Sequence, residues 1–282
     1  MTIATPDRNK AIYRTYHDEI LTKRFHSTSP IRRHAHRTQY QFFVDAIPAG
    51  SRVLDAGCGE GVLSVLLAKK GCQVTGVDLS EPNIASSKAY AVAEGVAERT
   101  TFSVADLEHL PFEDHAFEYV VSSHVLEHVP DFAQGARELN RVARKRLLVA
   151  IPTCFTPAAM VLLGGDAYWT FSRRTPYAFW YGLLRVLCAL LRGEEGVNEG
   201  YAGHQELIHI RRFPWRGKKS LQAAGLSVLS YRGSSYVFPY LSFLLPLSRL
   251  LETMAWLPLI RECGFGVTYV CDPLKNGAPR GD

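Results

Sequence analysis

The stretch from Ser51 to Pro152 alternates short apolar runs with amphipathic segments of helical period, and this alternation leaves little choice of architecture. Parallel strands joined by crossover helices produce it, because each strand is buried on both faces and each helix on one. Arg52–Ala56 predicts a first strand, Val62–Lys70 a helix stopped by Gly71, and Gln73–Leu79 a second strand. Ser80 is placed to cap the next helix, with Pro82 in its first turn and Gly95 beyond its end. Thr101–Ala105, Glu118–Ser122 and Arg146–Ile151 predict three more strands, and Asp131 caps a helix ending near Ala143. The expected fold is α/β: a doubly wound, mostly parallel, seven-stranded sheet whose last strand runs antiparallel.

Around this core (residues 51–152) the texture changes. Residues 1–50 read as an N-terminal helical cap, 153–203 as an apolar helical insertion and 204–234 as the core resumed, with Arg211–Phe213 and the strand Leu226–Tyr231. Residues 235–263 form a second apolar insertion, and 264–282 hold the last strand, Phe265–Cys271, and a tail. Tyr177–Leu191 is apolar on every side except Arg185, so it must be buried in protein or set against lipid. It is too short to span a bilayer, which takes about 20 apolar residues.

The net charge is +5, and residues 1–37 carry it, with eight basic against three acidic side chains. Such an arm suits phosphates, an anionic membrane surface or a plain solvated helix face. Six scattered cysteines without a C-x-x-C fit reduced thiols, and the polar start Met1–Lys10 argues against a signal peptide. A cytoplasmic protein is expected, with a peripheral membrane position as an open alternative.

Asp55-Ala56-Gly57-Cys58-Gly59-Glu60-Gly61 follows the first strand. Glycines there let the chain turn sharply and let a ligand approach the backbone, beside the unpaired N–H groups of a helix start. The spacing is not the G-x-G-x-x-G of dinucleotide enzymes, and Asp55 would repel a pyrophosphate while suiting a cationic amine. Two more acids end successive strands: Asp78, before Leu79, where two ribose hydroxyls could donate to it, and Asp106, before Leu107, where an adenine amino group could. In open α/β sheets ligands sit at this carboxyl edge.

Val53–Gly61, Thr75–Leu79, Ala105-Asp106 and Val120–Pro130 together resemble the successive motifs of class I S-adenosylmethionine-dependent methyltransferases. The resemblance is strong over 51–152 and returns near 205–234. It implies S-adenosyl-L-methionine as cofactor, held by Asp55, Gly57, Cys58, Gly59, Asp78, Leu79, Asp106, Leu107 and Ser123. It also implies the last strand inserted between the fifth strand and Leu226–Tyr231. One departure is Ala143-Arg144-Lys145-Arg146, which replaces the usual glycine-rich turn before the fifth strand.

His124-Val125-Leu126-Glu127-His128 matches H-x-x-E-H, a zinc-protease pattern when helical, but here it reads as a loop after a strand. Some methyltransferases carry E-x-x-E-H at this place and bind a divalent cation. With His124 instead of the first acid, no metal is expected. His128 and His124 are the candidate proton acceptors, or loop histidines held by backbone hydrogen bonds. Tyr13 and Tyr16 are candidate lid residues, and Trp169 and Phe179 candidate substrate contacts within a cap built from the N-terminal helices and both insertions. The acceptor is expected to be small, bulky and largely apolar or lipid-like. The apolar segments leave open a homodimer or a peripheral membrane contact. Two alternatives stay in view: a nucleic-acid methyltransferase using the basic arm, which apolar insertions fit poorly, and a cofactor-binding protein that does not methylate.

Overall fold

The computed structural model describes residues 6–17, 19, 21, 25–167, 171–200, 207–238 and 240–273. Its strands are β1 (Arg52–Ala56), β2 (Gln73–Asp78), β3 (Thr100–Val104), β4 (Phe117–Ser123), β5 (Ala143–Pro152), β6 (Gly196–Asn198), β7 (Ile210–Arg212), β8 (Leu226–Ser234) and β9 (Gly266–Pro273). Seven of them form one sheet in the order β3-β2-β1-β4-β5-β9-β8. β1 to β5 pair in parallel, and β9 lies antiparallel between β5 and β8. The expected sheet and its reversed strand are both present. Because β2 and β4 flank β1, the winding reverses beside it and opens a crevice at the carboxyl edge.

The helices are α1 (Pro6–Thr15), α2 (Pro30–Ala46), α3 (Val62–Lys69), α4 (Glu81–Ala93), α5 (Phe132–Val142), α6 (Pro157–Leu163), α7 (Thr175–Leu191), α8 (Pro214–Ala223) and α9 (Leu245–Thr253). Strand alternation divides the core between two layers. Val53 joins Phe43, Leu63, Leu67 and Ile84 from α2, α3 and α4. Its neighbour Leu54 points the other way, to Leu139 of α5 and Leu221 of α8. Both caps read from the sequence form: Ser80 Oγ accepts from Asn83 N at 3.2 Å, and Asp131 Oδ1 from Gln134 N at 2.9 Å.

Three differences from the sequence reading have physical causes. β5 begins at Ala143, with no turn before it, because Arg144 and Lys145 both pair with Glu118 of β4, at 3.2 and 2.7 Å. Arg211–Phe213 does not resume the main sheet. β7 pairs antiparallel with β6 in a separate ribbon, which touches β5 through the Thr153–Arg212 bridge.

The third difference is α7, which is neither buried all round nor part of the cavity wall. Ala178, Gly182, Val186 and Ala189 face inward, whereas Tyr177, Trp180, Tyr181, Leu184, Leu187 and Leu191 are exposed. Small residues bring α6 and α7 into backbone contact: a Cβ on Gly182 would lie 1.9 Å from the Met160 carbonyl oxygen.

Candidate active site

The crevice is a cavity of about 380 Å3. Asp55, Gly57, Cys58, Gly59, Asp78, Leu79, Asp106, Leu107, Ser123, His124, His128, Tyr13 and Tyr16 all line it. Sequence positions as far apart as 13 and 128 therefore meet at one place. Phe179 does not line the cavity; it packs with Ile31, Ala158, Val161 and Val237 behind the wall. Trp169 lies outside the described residues.

The glycine turn is held by the next strand. Gly57 N and Cys58 N both donate to Val77 O, at 2.7 and 2.9 Å. Gly57 has φ +81°, and a Cβ there would meet Val125 Cγ2 at 2.2 Å, so only glycine fits between β1 and the loop after β4. Cys58 is buried among acids, and burial first, then Asp55 and Asp78, push its thiol well above the ordinary range. Such surroundings disfavour a nucleophilic thiolate.

Each strand-end acid is fixed by near neighbours. Asp55, fully buried, accepts from Ser64 Oγ at 2.7 Å, and burial pushes its carboxyl up to about 7. Asp78 accepts from Gly59 N at 2.9 Å and Ser80 N at 2.8 Å, yet burial still holds it above the usual carboxylate range. Asp106 accepts from Glu108 N at 3.0 Å and pairs with Lys10 Nζ at 2.6 Å. Lys10 also pairs with Glu108, so this part of the basic arm neutralises acids of the protein itself.

The H-x-x-E-H segment is a loop with one short 3-10 turn, Leu126–His128, as its place after β4 predicts. His124 takes φ +57°, costly for a residue with a Cβ, while its N–H donates to Ala150 O at 2.9 Å. The segment surrounds Glu127, which is 1% exposed. His124 Nδ1 lies 3.3 Å and His128 Nε2 4.0 Å from Glu127 Oε1. Burial would raise this carboxyl, but the two imidazoles outweigh it and hold Glu127 below its ordinary value.

Several wall residues escaped the sequence reading. Asn9 Nδ2 donates to His128 O at 2.9 Å, and Tyr13 OH lies 2.8 Å from His128 Nδ1. His209, from the chain just before β7, packs tilted against His128 with ring centres 4.5 Å apart, and its Nδ1 lies 3.4 Å from Glu199. Among the described residues, Glu127, His128 and His209 form one group whose ligand atoms lie within 4.8 Å of one another. No local sequence pattern links residue 209 to residue 128. The only signal was the presence of histidine itself.

Comparison with known proteins agrees with this geometry. Residues 54–151 match the methyltransferase domain family. Methyltransferase GfsG of Streptomyces halstedii is 36% identical over 107 residues, 37% of this chain and 38% of that protein. The ubiquinone biosynthesis O-methyltransferase of Bordetella avium is 30% identical over 191 residues, 66% of this chain and 66% of that protein. A crystal structure of an S-adenosylmethionine-dependent methyltransferase from Methanosarcina mazei superposes with a TM-score of 0.56 at 18% identity. That alignment covers 83% of this chain and 97% of the other and establishes the fold. The chain spans about half the length of the curated relatives it matches. A methyltransferase domain match over β1 to β5, on a sheet of this order with acids at its strand ends, assigns the chain to the class I S-adenosylmethionine-dependent methyltransferases.

Proposed function

We propose that the chain transfers the methyl group of S-adenosylmethionine directly to a small, bulky, largely apolar or lipid-like acceptor. The observation that carries this reading is the mixed lining of the cavity. It holds Asp55, Asp78 and Asp106 at the strand ends together with the aromatic and apolar side chains Tyr13, Tyr16, Tyr40, Leu162, Val237 and Phe265. Asp78 suits the ribose hydroxyls, Asp106 the adenine amino group and Asp55 the cofactor's cationic amine.

A sulfonium methyl is already activated, so the protein supplies alignment and exclusion of water. The acceptor's lone pair attacks the methyl carbon, and the S–C bonding electrons stay on sulfur. Where the acceptor atom loses a proton, His124 and His128 stand beside the loop to take it. The Bordetella avium relative is named for an O-methylation in ubiquinone biosynthesis, which supports an acceptor of this size and polarity.

A screen with methyl-labelled cofactor against apolar phenols, quinols and sterols, with small charged acceptors for comparison, tests this. Label is expected in the apolar set, and Leu162→Ala should raise KM for that acceptor while leaving cofactor affinity unchanged. Labelling confined to small, highly charged acceptors would overturn the reading.

The exposed face of α7 supports a further part of the proposal, a peripheral contact with a lipid surface. Tyr177, Trp180 and Tyr181 lie toward one end of the face and Leu184, Leu187 and Leu191 toward the other, with Arg173, Arg174 and Arg192 flanking the helix. Aromatic side chains beside arginines favour a membrane interface. No described helix is long and apolar enough to cross a membrane.

A further inference from the structure

We propose that Glu127, His128 and His209 bind a divalent cation of the zinc class in the wall of the cofactor cavity. The expectation of no metal rested on the H-x-x-E-H segment lacking its first acid and on no other ligand cluster in the sequence, and folding adds a third candidate ligand from 81 residues further along the chain. Glu127 is the strongest indication. Its carboxylate is buried to 1% exposure, and neither oxygen has a hydrogen-bond partner among the described residues. A buried carboxylate without a hydrogen bond calls for an ion or water to meet it. His124 stands at ion-pair distance from one oxygen only.

The surroundings fit a ligand set. Bonds of about 2.0–2.2 Å in a tetrahedral site put ligand atoms roughly 3.3 Å apart. Glu127 Oε1 and His128 Nε2, at 4.0 Å, need only a small closing movement to reach that spacing. His128 has a partner at its other nitrogen, as ligating histidines usually do. Tyr13 OH meets His128 Nδ1 at 2.8 Å, and Glu199 Oε1 stands at ion-pair distance, 3.4 Å, from His209 Nδ1. Two imidazoles and one carboxylate suit Zn2+ and its first-row neighbours better than Mg2+ or Ca2+, which prefer oxygen. Three protein ligands leave a coordination position open, and all three residues line the cavity.

Given the methyl-transfer reading, the open position narrows the acceptor to one that offers an oxygen. Glu127, His128 and His209 would hold the ion, which would supply Lewis-acid stabilisation to the hydroxyl oxygen. His124 would take the proton, the oxygen lone pair would form the new O–C bond, and the sulfonium S–C bond would break toward sulfur. His124 stays outside the ligand group and remains available for the proton.

Binding of the ion can be measured without any acceptor. The full chain, stripped by chelation, is titrated calorimetrically with Zn2+ and, separately, Mg2+. Co2+ is then added to read its visible bands, which distinguish nitrogen and oxygen ligation from thiolate. S-adenosylhomocysteine affinity is measured on every sample. One Zn2+ per chain is expected, with Mg2+ at least about 100-fold weaker and Co2+ bands free of thiolate character. Glu127→Gln and His209→Ala should each weaken Zn2+ by about 10–100-fold with S-adenosylhomocysteine binding retained, in line with the loss of one ligand or its supporting partner. No stoichiometric Zn2+ on the wild-type chain, or equal Zn2+ affinity in both variants, overturns the site. Should Glu127→Gln fail to fold, His209→Ala alone decides. Loss of S-adenosylhomocysteine binding by the wild-type chain counts against the cofactor reading and leaves the metal result standing.

Discussion

The sheet edge and the cover above it are held together in different ways. At the edge, most polar groups are tied to partners nearer along the chain, Asp55 to Ser64, Asp78 to Gly59 and Ser80, Asp106 to Glu108, with Lys10 of α1 the one distant partner among these. In the cover the ties reach across the whole sequence. Asn9 holds His128 and receives the N–H of Ile208, Gln39 donates to Ser123, and Ser235 Oγ donates to Ala35 O at 2.6 Å. A site fixed by local partners is formed as soon as its strand and turn form. A cover fixed by distant partners exists only in the finished fold, and its chemistry can differ between proteins that share the edge.

If the edge is the part that binds cofactor, the largest effect should come from Asp78. Asp78→Ala removes a charged acceptor, a loss of about 1.5–3 kcal/mol, so S-adenosylhomocysteine should bind roughly 10–150-fold more weakly by calorimetry. Unchanged affinity would move the binding function into the cover and break the comparison.

Asp55 should give a smaller effect, set by pH. Its carboxyl titrates at about 7 in the folded chain against an ordinary value of 3.8. The folded state therefore holds a proton that the unfolded state has lost, and the ligand-free protein gives up stability as pH rises from about 4 to about 7. Cofactor binding runs the other way over the upper part of this interval, because its cationic amine prefers the ionised acid. Affinity at pH 6 should be about tenfold weaker than at pH 7.5. Asp55→Asn should abolish that slope, and a slope that survives the substitution would assign the titration to another group.

The smallest change in stability belongs to the outer face of α7. Trp180 is 66% exposed, and Trp180→Ala should alter unfolding free energy by less than about 0.5 kcal/mol. The same substitution should clearly reduce sedimentation with anionic lipid vesicles. A stability loss that depends on protein concentration would instead show this face closing a homodimer.

The same division explains what could be read from the sequence. β1, β2 and the helix between them, the caps at Ser80 and Asp131, and the acids at the strand ends obey rules that act over a few residues. His209, Glu199, Asn9 and Lys10 reach the cavity only through contacts between segments far apart, which periodicity cannot reveal. α7 was half legible. Its apolar character was plain, and the small residues Ala178, Gly182, Val186 and Ala189 marked the side that would meet α6. The expectation that the helix is buried in protein or set against lipid did not separate its two sides, and Phe179 was placed in the cavity wall.

α1 is fastened at several points. Lys10 grips Asp106 and Glu108, Tyr13 meets His128, and Asn9 bridges the backbone of His128 and Ile208. These residues belong to a single ten-residue helix lying against the cavity beside Asp106. If spent cofactor leaves past this helix, the attachments that must loosen belong to α1, and where product departure limits turnover they would set its tempo.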